Sequence, residues 1–164
     1  MDVISDEIVE ETSGEVGGFA ESRGRKEMRA LGERQPELLS FMMEFTQDLN
    51  PEVKELALYM FFVVCRIFEK ASVKKIKKIS SQKIIKCFES NEDLLQRLEG
   101  THEKFLDRIT RTQILATQPY VMKYVVETLV EGPKEGDPVE LSEDDIGYLF
   151  LLFKTLIDAL DQAG

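Results

Sequence analysis

The chain has 164 residues, 43% of them hydrophobic and 32% charged, with a formal net charge of −10. A chain of this length buries enough apolar surface in one core to fold without disulfides or metals, and the composition excludes disorder throughout. The acid excess excludes wholesale binding to nucleic acid or anionic membranes, because most of the surface repels both.

Residues 1–20 combine acidic side chains with Gly14, Gly17 and Gly18 and carry no sustained apolar stripe. They are expected to form a mobile acidic tail ahead of a single all-helical domain over 21–164. The opening residues are acidic where a secretory signal has a basic region, and no long apolar segment follows, so a cytoplasmic location is expected. The apolar run 56–65 is far short of the ~20 residues that span a bilayer. A short helix is predicted over 20–34, interrupted by Gly24 and Gly32.

From Pro36 onward the helical signals are well punctuated. Pro36 suits a first helical turn, and Leu38, Leu39, Phe41, Met42, Met43 and Phe45 give an apolar face ending near Leu49. Asn50-Pro51-Glu52 supplies an N-cap, a proline at the first helical position and a carboxylate that suits the helix dipole. The helix over 51–71 is apolar all round at its centre and is expected to be the central one.

Ser80 and Ser81 offer caps for a helix from Gln82, continued past Asn91 to Gly100. Thr101 is the N-cap candidate for a helix carrying Phe105 and Ile109. Pro119 opens another, closed by Gly132-Pro133. Residues 132–141 hold two glycines and two prolines and read as a loop, after which Ser142 caps the last helix, with Glu143, Asp144 and Asp145 in its first turn. No period-2 alternation bounded by hairpin signals occurs, so the expected fold is all-α with six or seven helices.

Residues 36–68, with Asn50-Pro51-Glu52-Val53-Lys54 leading to Ala57, resemble one HEAT-type helical repeat, and Gln118-Pro119-Tyr120-Val121 echoes it. The resemblance implies a binding scaffold that engages a partner protein. No fixed period runs through the chain, so a plain helical bundle stands beside HEAT-like stacked hairpins.

Charge is distributed unevenly. Residues 1–69 carry −8 and residues 87–164 carry −9, whereas 70–86 hold seven lysines and no acid. Lys74, Lys75, Lys77, Lys78 and Lys83 are the candidate partner-binding residues, with Val73, Ile76 and Ile79 expected to anchor the segment to the core. The segment has no arginine and one nearby aromatic, Phe88, so bidentate base readout and stacking lack their usual residues. Any nucleic-acid binding here is expected to be non-specific.

His102 is the only histidine, which leaves too few ligands for a di-iron or zinc site, and no metal or cofactor is expected. Cys65 and Cys87 sit among apolar residues and read as reduced core positions. The spacing of Arg97 and His102 resembles the Arg-x4-His motif of HEPN-domain ribonucleases. That resemblance implies metal-independent cleavage, with Arg97 holding phosphate and His102 acting as acid or base.

Three readings follow. The first is a helical protein-interaction or regulatory module without catalysis, whose partner is another protein or a second copy of the chain. The others are a HEPN-like ribonuclease through Arg97 and His102, and a non-specific polyanion binder through residues 70–86.

Overall fold

The computed structural model describes residues 1–99, 104–133 and 138–164, with the side chains at 98, 99, 106, 114 and 115 outside that description. The chain is all-helical, 77% helix, and among the described residues it has eight helices, one or two more than expected, and no strand. They are α1 Asp6–Gly17, α2 Glu21–Arg34, α3 Pro36–Thr46, α4 Pro51–Ala71, α5 Ser81–Glu99, α6 Phe105–Leu115, α7 Pro119–Glu131 and α8 Glu143–Ala163.

Local chemistry sets most of these boundaries. Pro36, Pro51 and Pro119 each open a helix at a position whose N–H would have no partner. The Asn50 side chain accepts from the Glu52 N–H. Ser142 and Asp145 form a reciprocal capping box, Asp145 N–H to Ser142 Oγ at 3.0 Å and Ser142 N–H to Asp145 Oδ2 at 3.3 Å. Gly132 ends α7 with φ +93°, a backbone conformation that favours glycine. The Thr101 cap and part of the 132–141 loop lie outside the described residues.

The extra helix is α1, which occupies the segment expected as a tail. It buries Val9, Thr12 and Val16 against α4 and α7, and Ile4 just before it is 3% exposed. Thr12 is accommodated because its hydroxyl donates to the Ile8 carbonyl at 2.7 Å.

The two 21-residue helices α4 and α8 pack on one another at the centre, and buried apolar side chains from all eight helices join one cluster around them. The expectation for 51–71 holds, but that helix shares the centre with α8. α2 is attached differently. Leu31 is its one buried side chain, and it is tied to α4 by Arg34–Glu69 and by Glu27–Arg66. Gly32 lets α2 approach α3 closely, since a Cβ there would sit 2.8 Å from Leu39.

The helix pairing has an internal order. Exchanging α1, α2, α3 and α4 for α5, α6, α7 and α8 turns every principal helix contact into another one that is also present. Thus α1·α4, α2·α3 and α3·α4 answer to α5·α8, α6·α7 and α7·α8, while the crossing contacts α1·α7 and α4·α7 answer to α3·α5 and α3·α8. The α4·α8 contact maps onto itself, as a two-fold relation requires.

Burial follows the same exchange. Ile4, Val9, Thr12 and Val16 correspond to Ile79, Ile84, Cys87 and Asn91, all buried. Ala57, Met60, Phe61, Val63 and Val64 of α4 correspond to Leu149, Leu152, Phe153, Thr155 and Leu156 of α8, all 0% exposed. When the starts of α3 and α7 are aligned, Gln118-Pro119 answers to Gln35-Pro36.

Candidate lysine interface and the sites around it

Lysine side chains cannot be packed without a counter-charge, so a run of them must either stay hydrated or find carboxylates. The stretch 72–80 between α4 and α5 is the part of the basic segment that is not helical. Lys74, Lys75, Lys77 and Lys78 lie in it and are exposed, and Lys83, in the first turn of α5, is half-buried. None of these five has an ion-pair partner among the described residues. Lys70, by contrast, is engaged by Glu15 at 2.8 Å.

The expected apolar anchor is only partly present. Ile79 is buried and Ile76 half-buried, but Val73 has a relative exposure of 101% and anchors nothing. The spacing of three suggested a helical face, whereas residues 72–80 are not helical and bend at Val73 and Lys74, so that spacing defines no common face.

What holds the segment is Gln35, a residue the sequence reading did not single out. Its side chain is 4% exposed, donates from Nε2 to the Lys77 carbonyl at 2.9 Å, and accepts at Oε1 from the Ile79 N–H at 3.0 Å. The amide therefore pairs with the backbone on both sides of Lys78 as a neighbouring strand would. Ser72 adds a hydroxyl bond to the Lys74 carbonyl, and Ser80 Oγ accepts from the Lys83 N–H at 3.3 Å at the start of α5.

Clefts flank this connector. One of about 250 Å³ lies between it and Leu31, Gln35, Cys65 and Glu69, and one of about 410 Å³ lies beside Ala30, Glu33 and Arg34. Arg34 stands between them, its guanidinium bidentate on Glu69 at 2.7 and 3.0 Å, so its charge is already matched.

Gln118 does the same work elsewhere. It is 0% exposed, accepts from the Ile4 N–H at 2.9 Å, and donates to the Asp2 carbonyl at 2.9 Å and to Asp161 Oδ1 at 2.8 Å. Each glutamine thus clamps the extended lead-in to the first helix of the opposite half. The two Gln-Pro pairs ahead of apolar helices were the available signal for both clamps.

The other candidates are less assembled. Arg97 is exposed near the end of α5. His102 lies outside the described residues, so the structure gives no distance between them. Cys65 and Cys87 are free and buried, and burial pushes both thiols up, well away from a reactive thiolate. No group of three or more His, Cys, Asp or Glu that could hold a metal occurs among the described residues. No described helix is long and apolar enough to cross a membrane.

Comparison with known proteins found no matching family model, no matching curated protein and no matching solved structure.

Proposed function

We propose that the protein is a non-enzymatic helical interaction module that engages an acidic partner through Lys74, Lys75, Lys77 and Lys78. The observation that carries this is the Gln35 clamp, which fixes the backbone beneath four exposed lysines that have no ion-pair partner among the described residues. A charged segment whose backbone is already held by hydrogen bonds loses less conformational entropy on binding than a free loop. Its local field also attracts an acidic surface although the chain as a whole is acidic.

For the scaffold we favour a helical bundle of two like halves over HEAT-like stacked hairpins. Support comes from the two crossing contact pairs, α1·α7 and α3·α5, since a solenoid repeat contacts its sequence neighbours.

The test is retention of poly-glutamate, single-stranded RNA and duplex DNA on the immobilised protein at low and moderate salt. Poly-glutamate should be retained at low salt and lost when Lys74, Lys75, Lys77 and Lys78 are all changed to Glu. The substituted sites are exposed, so stability should move by less than about 0.5 kcal/mol per site. Retention of the nucleic acids alone would replace this reading with the polyanion binder. Metal-independent RNA cleavage that disappears in His102→Ala would replace it with the ribonuclease.

A further inference from the structure

The exchange that relates the two halves carries one groove onto another, and the two have opposite fates. The first groove lies between α1, α4 and α7 and is an open cleft of about 290 Å³. Its counterpart lies between α5, α8 and α3 and is filled by Phe41, Phe45 and Phe88, whose ring centroids are 4.5 to 6.0 Å apart. The filled groove is further tied by Tyr148, whose hydroxyl donates to the Phe45 carbonyl at 2.6 Å.

The difference traces to a few positions. In the register set by the two Gln-Pro pairs, Phe45 answers to Thr128 and Phe41 to Tyr124. In the register set by Ile4-Ser5 and Ile79-Ser80, Phe88 answers to Ser13 and Glu89 to Gly14. A Cβ added at Gly14 would meet nothing within 4 Å. The fold therefore accepts aromatic plugs at this kind of groove, and the α1–α4–α7 copy keeps a ring at Tyr124 but lacks the two at Ser13 and Thr128. An unfilled groove forfeits the packing that the plug supplies.

The chemistry of the open wall is one-sided. Ser13 Oγ donates to the Glu10 carbonyl at 3.1 Å and Thr128 Oγ1 to the Tyr124 carbonyl at 2.8 Å, so each hydroxyl keeps oxygen lone pairs as acceptors. Among the described residues, Asp6, Glu10, Glu127 and Glu131 line the cleft against one cation, Lys123, which is bonded to Asp6 at 3.3 Å and also feels the charges of Glu127 and Glu10. Glu10, Glu127 and Glu131 have no ion-pair partner among the described residues. Tyr59 and Tyr124 supply aromatic wall, and burial, aided by Tyr59, keeps the Tyr124 phenol protonated far into the basic range.

We propose that the α1–α4–α7 cleft binds a small organic cation with a primary ammonium or guanidinium group, donating to Ser13, Thr128 and the Glu127 and Glu131 carboxylates beside the two tyrosines. N–H donors suit an acceptor-rich wall, the positive charge adds to that of Lys123 against the four lining carboxylates, and a ring face adds a cation–π contribution. The volume lies at the small end of ligand cavities.

The experiment is an amide-resolved NMR titration of the full chain with 1,4-diaminobutane and agmatine, using tetramethylammonium, which has no N–H, as the control cation. Saturable shifts should centre on Ser13, Gly14, Tyr124 and Thr128, with tetramethylammonium giving none that saturate. The double variant Ser13→Phe/Thr128→Phe imports the plug of the other half and should weaken binding at least tenfold. If that variant fails to fold, Glu127→Gln/Glu131→Gln at the cleft edge serves instead and should weaken binding by a similar factor. The connector variant with four lysines changed to Glu should bind as the parent does. Absence of saturable shifts with either amine would overturn the proposal. So would shifts spread over acidic residues throughout the chain and unchanged in both cleft variants.

Discussion

Residues 2–4 and 77–79 are held in the same way, each by a buried glutamine that precedes a helix-opening proline in the other half of the chain. What they display is opposite, Asp2 and Val3 in one case and Lys77 and Lys78 in the other. The grooves repeat the pattern, with Ser13 and Thr128 standing where the other half has Phe88 and Phe45. The comparison teaches that backbone pairing and the α4–α8 centre are the shared requirement of both halves. Side chains facing away from that centre are free to differ, and function is to be sought where they do.

The largest effects should come from the shared centre. Phe61 on α4 and Phe153 on α8 correspond and are both 0% exposed. Phe61→Ala and Phe153→Ala should each destabilise by roughly 3–5 kcal/mol in urea unfolding. Costs that differ by more than the spread of that range would show that the halves are not energetically alike.

The clamps come next. Gln35→Ala leaves the Lys77 carbonyl and the Ile79 N–H without their partner, and Gln118→Ala does the same to Asp2 and Ile4 while also releasing Asp161. Each should cost about 2 kcal/mol, with Gln118 the more costly. Hydrogen exchange separates them. Gln35→Ala should speed exchange at the Ile79 amide and spare Ile4, and Gln118→Ala should do the reverse.

The smallest effect lies where the halves differ in charge. Glu15 of α1 is held below its ordinary 4.5 by hydrogen bonds from Lys70 and then Arg66, whereas α5 has Ser90 at the corresponding position and places an uncharged donor, Asn91, one residue on, against Asp158 at 3.0 Å. A carboxylate with a depressed pKa in the folded state stabilises above its unfolded value and loses that contribution as pH falls through the folded one. Glu15→Gln should therefore lower stability by less than about 1 kcal/mol near neutral pH, given how exposed the pair is. The gap between the two proteins should close on acidification below the ordinary carboxylate value.

Legibility in the sequence followed the range of the interactions. α4 and the starts of α3, α7 and α8 could be placed because a proline, an asparagine or a serine sets each one within a turn of itself. α1 was missed because its buried stripe of Val9, Thr12 and Val16 contains a threonine and runs beside Gly14 and Gly17, and because its partners lie on α4 and α7. The exposure of Lys74, Lys75, Lys77 and Lys78 was legible from charge, but the hold on their non-helical backbone was not, since it depends on Gln35 across 42 positions. The correspondence of the halves stayed hidden because the lengths differ, 12 residues in α1 against 19 in α5, so no fixed period results.

Residue order alone settled the helical class, the capped helix starts and the isolation of positive charge in one segment, because caps, periodicity and charge runs act over a few neighbouring residues. Which helices meet, which segment each glutamine clamps and which groove stays open depend on groups far apart in the chain. Those were decided by packing, where the volume of a phenylalanine or the reach of one amide determines whether a space is filled or a backbone is held.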